Sequence, residues 1–188
     1  PSASPHILVT SRREQPDFAD VKLDLLDEDQ SYKLLVQEAK TTPNDALEES
    51  AAHDIATALN GLPLALELAG AYLARRRISY AAYHDLLRAN LKQALPSRLS
   101  SLTKHDADLF KTLSISESDI SDEPLLVDVL DLLTWSGSSS MGLKLMAHLL
   151  DLQLTELYGA LGLGEALRLL QKIPGSERYT VHRLVQEV

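Results

Sequence analysis

The fold of this chain is decided by residues 60–74, which read NGLPLALELAGAYLA. Gly61 suits the left-handed conformation that closes a preceding helix, and Pro63 suits the first turn of the next helix because it lacks an N–H. That next helix is apolar nearly all round, so we expect it to be buried. The corner can support a flat ligand, or it can be only a tight connection between two helices.

Helical patterns surround this corner on both sides. Asp27 and Gln30 have the spacing of a capping box, and the helix they begin stops before Pro43. A second helix ends at Gly61, the apolar helix follows from Pro63 to Arg77, and a fourth begins at a Ser79 cap. Their expected buried positions include Leu47, Ala51, Ile55, Leu59, Tyr83, Leu86, Leu87 and Leu91. The pattern predicts a four-helix bundle over residues 21–95.

Residues 96–188 have a different pattern and are predicted to form a second domain. After a polar linker at 97–103 and a helix through 107–113, Asp122 is the expected cap of a helix with Pro124 in its first turn. Its expected buried side includes Leu126, Val129, Leu130, Leu133 and Trp135. A helix over 143–150, a long helix from Thr155 to Lys172 and a hairpin turning at 174–177 complete the pattern. Helices closed by a terminal β-hairpin resemble a winged-helix domain.

The first twenty residues differ again. Ile7, Leu8 and Val9 form a short apolar run before Thr10-Ser11-Arg12, which predicts one buried strand. A buried strand needs neighbouring strands, and comparable runs do not follow for more than a hundred residues. Residues 1–20 are therefore expected to be the end of a preceding domain, in a chain cut from a longer protein.

Composition limits the classes of function. The chain has 188 residues, 45% of them hydrophobic, and a formal charge of −9. That charge argues against broad electrostatic binding of nucleic acid or of an acidic membrane surface. Cysteine is absent and no apolar run reaches the roughly 18 residues that span a bilayer, so we expect a cytoplasmic protein without membrane contact.

Catalytic and metal-binding motifs are not found in the sequence. The six histidines lack metal-ligand spacing, and the carboxylates fit solvated helix faces. Residues 137–144 nearly spell a phosphate-binding loop, but Leu143 precedes the lysine and neither Ser nor Thr follows Lys144. We therefore assign no catalytic residue and no metal ligand.

Three separated pieces together resemble a known family. They are Ile7–Arg12, Gly61–Leu66 and the run Tyr179-Thr180-Val181-His182-Arg183. In this order they are similar to the nucleotide-binding modules of the STAND regulatory ATPases, the NB-ARC family. There a strand ends in Thr-Ser-Arg, a Gly-Leu-Pro-Leu-Ala turn opens a helix of a small helical domain, and a Met-His-Asp motif closes a winged helix. The resemblance implies a remnant of the P-loop nucleotide-binding domain at 1–20, before the helical bundle and the winged-helix domain.

The resemblance also implies roles for particular residues. Thr10 and Arg12 would lie at the nucleotide phosphates, with Arg12 as the sensor. Leu62 and Pro63 would form the platform for adenine, and His182 would donate to the β-phosphate of ADP. Without the resemblance, simpler alternatives stay open for these residues. Arg12 can pair with a carboxylate, and His182 can be an ordinary strand residue.

The implied function is regulatory. ADP between the nucleotide-binding domain of the same protein and the two domains here would hold a closed state, and exchange for ATP would permit assembly into a homo-oligomer. Val181 and Arg183 replace the motif Met and Asp, as in relatives followed by tetratricopeptide-like repeats, which implies a C-terminal repeat sensor. The phosphate-binding loop and paired aspartates precede the Thr-Ser-Arg strand in the family. This fragment is therefore expected to be no enzyme and to hold no ADP tightly, although its parent would be a slow regulatory ATPase.

Two other functions remain from the residues alone. One is a winged-helix DNA-binding regulator, although residues 97–188 carry 13 acidic and 8 basic side chains. The expected recognition helix, Thr155 to Lys172, offers only Arg168 and Lys172 to phosphates. The other is a helical adaptor that binds proteins without a ligand.

Overall fold

A computed structural model describes residues 24–93, 112–116, 120–137, 139–181 and 185. Within these ranges the chain is mainly helical, with a small three-stranded antiparallel sheet. The first half contains α1 (Glu28–Ala39), α2 (Ala46–Ala58), α3 (Pro63–Arg76) and α4 (Tyr80–Gln93). The second half contains α5 (Pro124–Trp135), β1 (Met141–Gly142), α6 (Leu143–Leu149), α7 (Leu154–Ala166), β2 (Leu170–Lys172) and β3 (Arg178–Val181). The predicted strand at 7–9 and the linker at 97–103 lie outside the described residues.

Side-chain caps fix where the first two helices begin. The Gln30 N–H donates to Asp27 Oδ1 at 2.8 Å, and the Asp27 N–H donates to Gln30 Oε1 at 3.2 Å. This is the predicted capping box. Asp45 caps α2 by accepting from the N–H groups of Leu47 and Glu48, each at 2.9 Å. Both caps satisfy N–H groups that a helix start leaves without partners inside the helix.

The corner between α2 and α3 forms as predicted and adds a second left-handed residue. Asn60 has φ 53° and Gly61 has φ 69°, after which Leu62 is extended and Pro63 begins α3. The Leu26 N–H donates to the Gly61 carbonyl at 3.0 Å. A Cβ on Gly61 would lie 2.2 Å from the Leu26 carbonyl oxygen, so both the backbone conformation and the space require glycine.

The third helix is buried, as its apolar sequence predicts. Its buried residues are Ala65, Leu66, Leu68, Ala69, Gly70, Ala71, Tyr72 and Leu73. Helix α1 packs on α3 closely enough that a Cβ on Gly70 would lie 2.4 Å from the Glu38 Cβ. The small residue at 70 therefore sets the separation of the two helices.

The start of α4 is fixed by its predicted cap and by a carboxylate from α2. Ser79 Oγ accepts from the Ala82 N–H at 3.1 Å, while Glu48 accepts from the Tyr80 N–H at 2.8 Å. The Tyr80 hydroxyl donates to the Thr41 carbonyl in the connection between α1 and α2. The bonds to Glu48 and Thr41 join segments that lie more than thirty residues apart in the chain.

The small sheet closes the second half of the chain. Its strand order is β1-β3-β2, and both pairings are antiparallel. The predicted hairpin is confirmed, with Leu170 opposite Val181 and Gly175 in the turn at φ 71°. Strand β1 is not predicted from the sequence, because a strand of two residues carries no alternation to detect.

The predicted long helix from Thr155 to Lys172 is wrong. Helix α7 ends at Ala166, and Arg168 turns the chain with φ 58°. The Leu169 N–H then donates to the Gly164 carbonyl at 2.9 Å. The chain leaves the helix because residues 170–172 pair with β3, which a continued helix would prevent.

Three side chains predicted to be buried are exposed. Trp135 is 90% exposed, Leu47 is 69% exposed and Leu86 is 39% exposed. In α5 the buried stripe is Leu126, Val129 and Leu133, and a residue two positions beyond it points to the opposite side of a helix. The N-cap of α5 is also Glu123 rather than the predicted Asp122.

Replacing Gly61 with alanine should destabilise the bundle more than the same change at Gly175. Both glycines have a positive φ, so each alanine carries a conformational cost of about 1–2 kcal/mol. Only at Gly61 does the new Cβ also meet the Leu26 carbonyl, since Gly175 has open space around it. Urea unfolding followed by circular dichroism measures both variants. Equal losses of unfolding free energy would contradict the close approach at Leu26.

Replacing Tyr80 with phenylalanine should reduce stability by about 0.5–1.5 kcal/mol at neutral pH, through the lost bond to Thr41. Burial, with smaller contributions from Tyr32 and nearby carboxylates, raises the pKa of Tyr80 to about 12. A raised pKa favours the protonated phenol in the folded state, so its stabilisation is complete below about pH 10 and is lost towards pH 12. Unfolding curves from pH 7 to 12 should therefore show a smaller alkaline loss in Tyr80→Phe than in the wild type. Tyr158→Phe, at an exposed phenol, is the control and should leave the alkaline loss unchanged.

Candidate functional site

The candidate site is the corner at the start of α3. Leu62 is only 9% exposed and packs into the core, whereas Pro63 lies at the surface in the first helical position. The left-handed backbone at Asn60 and Gly61 and the bond from Leu26 hold this corner from behind. The exposed proline ring therefore stands on a rigid, buried base.

This arrangement suits one face of a flat, partly polar ligand. A proline ring presents a small apolar surface on which a planar group can pack. The first N–H groups of a helix lack intrahelical acceptors, and the positive end of the helix dipole favours acceptor atoms nearby. Leu62 supports the ring from the core side and presents little surface of its own.

The other predicted site residues, Thr10, Arg12 and His182, lie outside the described residues. Strand β3 ends at Val181, which is buried and paired with Leu170, so His182 directly follows the central strand of the sheet. The assignments of Arg12 and His182 to the phosphates remain predictions.

A cavity of about 660 Å³ lies at the other end of α3, where the sequence analysis placed no site. Its walls include Lys40 and Arg77, the left-handed residues that end α1 and α3, together with Thr41 and Glu48. The Glu48 carboxylate already caps α4. Local sequence patterns do not indicate this cavity, because its walls come from two stretches, 39–48 and 73–80, that lie far apart in the chain.

An aromatic pair on the bundle surface was also missed. The His53 ring stacks on Tyr32 with centroids 4.4 Å apart, and its nitrogens lie 3.5 Å from a Glu28 oxygen and 3.9 Å from a Glu49 oxygen. Burial and a hydrogen bond with Glu49 raise the pKa of Tyr32. In the described part of the chain, no group of three or more His, Asp and Glu side chains is arranged to hold a metal ion.

The two cations expected on a DNA-reading helix are positioned elsewhere. Arg168 follows α7 and binds Glu38 of α1, with Nε and Nη2 at 3.1 and 2.5 Å from Oε2. Lys172 lies in β2 with its ammonium 5.7 Å from the centre of the Tyr179 ring. The only charged residues of α7 itself are Glu156 and Glu165. This helix therefore offers no cation to a DNA backbone.

Comparison with known proteins finds no family model and no curated protein that matches this chain. The described helices include none that is long and apolar enough to cross a lipid bilayer.

We expect the chain to show no sequence-dependent binding to DNA. Phosphate contacts provide most of the affinity in such complexes, and α7 carries only acidic charges. Fluorescence anisotropy with labelled duplexes at physiological salt measures this. Submicromolar binding that changes with the sequence of the duplex would contradict the expectation and favour a transcriptional regulator.

Proposed function

We propose that this chain is the regulatory part of a nucleotide-dependent switch of the STAND type. The observation that carries the proposal is the corner at Gly61–Pro63. There an exposed proline at a helix start stands on a buried leucine and a left-handed turn. This geometry fits the adenine platform that the resemblance assigns to Leu62 and Pro63.

The order of elements in the second half supports a winged-helix domain. A helix, a short strand, two helices and a hairpin follow one another, and the last strand lies between the other two. In this interpretation α7 is the third helix and β2–β3 is the wing. The first half, with four helices joined by short connections, is then the small helical domain of the family.

The proposed switch uses the chain's own residues at three points. Pro63 would pack on the base, Arg12 would reach the terminal phosphate, and His182 would donate to the β-phosphate from the end of β3. Bound ADP would supply the negative charge that draws these groups together. Arg12 precedes the bundle and Pro63 lies in it, whereas His182 follows the sheet. A ligand shared by all three residues would therefore hold the two domains closed.

Partners follow from the same proposal. The domain that carries the phosphate-binding loop would precede this chain in one protein, and a repeat sensor would follow it. Release of the closed state would expose surfaces for homo-oligomer assembly. A helical adaptor without a ligand is the alternative that the next experiment separates from the switch.

Replacing His182 with alanine in the full-length protein should weaken ADP retention by roughly ten- to a hundredfold. A hydrogen bond between a side chain and a charged phosphate contributes about 1.5–3 kcal/mol, which corresponds to that range. The ADP dissociation rate after rapid dilution into excess unlabelled nucleotide gives the direct measurement. Light scattering should show more spontaneous assembly in the same variant.

The matched control is His148→Ala, because His148 is an exposed histidine on α6. This control should leave ADP dissociation and assembly unchanged. A third variant, Pro63→Ala, keeps a residue that helices accept while removing the ring, and it should also speed ADP release. If His182→Ala and Pro63→Ala both fold and release ADP at the wild-type rate, the proposed switch is wrong and the adaptor is favoured.

A further inference from the structure

At the junction of the two halves of the chain, their labelled helices and strands make few direct contacts with one another, although buried side chains of both halves belong to one hydrophobic cluster. Helices and strands within residues 28–93 pack extensively on one another, and so do those within residues 124–181. No labelled element of one range packs extensively on an element of the other. Between the halves lies a cavity of about 270 Å³, whose walls include Arg75 of α3, Glu123 before α5, and Glu156 and Gly159 of α7. Small, incompletely packed contacts between domains permit relative motion, so the few specific bonds across them matter.

An ion pair between described residues, Glu38 and Arg168, crosses this junction. Arg168 donates to a single oxygen of Glu38 through both Nε and Nη2, at 3.1 and 2.5 Å, and the two residues lie 130 positions apart in the chain. The Glu38 side chain is 11% exposed and that of Arg168 is 46% exposed. The pair is therefore partly shielded from water, where ions screen it less than a fully exposed pair.

The fold holds both ends of this pair in place. Glu38 lies where α1 approaches α3, because Gly70 has no side chain to fill the space beside the Glu38 Cβ. Arg168 has a left-handed backbone between Leu167 and Leu169, which are 2% and 1% exposed. The two buried leucines anchor the turn after α7, and the arginine between them projects towards the bundle.

We infer that Glu38 and Arg168 form an electrostatic latch. It holds the helical bundle, residues 28–93, against the C-terminal unit, residues 124–181. Closing the latch gives the Glu38 carboxylate a charge-assisted bond to its cation, and opening it loses that bond. The latch needs no nucleotide, so it biases the chain towards the closed arrangement before any ligand binds. This inference rests on described residues alone and is independent of the proposed nucleotide site.

The test is single-molecule energy transfer across the junction in the nucleotide-free chain. The sequence contains no cysteine, so Asp54→Cys on α2 and Lys144→Cys on α6 give unique labelling positions. Arg168→Asn removes the charge, and asparagine adopts the left-handed backbone readily, so the turn should still form. We expect the ratio of closed to open molecules to fall about tenfold.

Two further variants make the result decisive. Arg178→Asn removes an arginine that bonds Ser140 within the C-terminal unit, with Nε 2.9 Å from Oγ, and should leave the ratio unchanged. Glu38→Gln should open the junction, and adding it to Arg168→Asn should cause no further loss, because each variant breaks the same bond. An unchanged ratio in Arg168→Asn, an equal fall in Arg178→Asn, or additive losses in the double variant would overturn the latch.

Discussion

The hydrogen bond from the Leu26 N–H to the Gly61 carbonyl fixes the arrangement on which the bundle depends. It ties the segment before α1 to the turn between α2 and α3, across 35 positions of the chain. The bond needs a left-handed glycine without a Cβ, since the Leu26 carbonyl occupies that space. Once α1 is held at this end, Gly70 sets its distance from α3 further along, and Glu38 reaches the edge of the bundle.

The same geometry joins the candidate site to the junction between the two halves. Helix α3 carries Pro63 at its first position, Gly70 in its middle and Arg75 near its end. A change in how the C-terminal unit contacts the bundle therefore acts on the helix that also presents the candidate platform. The proposed switch would act at the start of α3, whereas the inferred latch acts through Glu38 of α1, which packs on α3 beside Gly70.

Charge placement distinguishes the C-terminal unit from a DNA reader more clearly than net charge does. Its topology is compatible with a winged helix, and that architecture serves unrelated functions in different proteins. Here Arg168 is turned back towards the bundle and Lys172 lies over Tyr179. Helix α7 itself carries only the acidic charges of Glu156 and Glu165, so the charges of this unit do not favour the DNA contacts that its fold would suggest.

Local physical rules in the sequence determined the four helices of the bundle, the caps at Asp27 and Ser79, the Gly61–Pro63 corner and the terminal hairpin. Each depends on residues within a few positions of one another, where capping, φ preference and turn chemistry act. The tertiary structure alone decided the end of α7, the strand β1 and the pair between Glu38 and Arg168. Residues 170–172 follow a helical pattern but pair with β3, and Glu38 and Arg168 look like surface charges until the two halves of the chain meet. Such outcomes depend on partners far away in the chain, which no local pattern records.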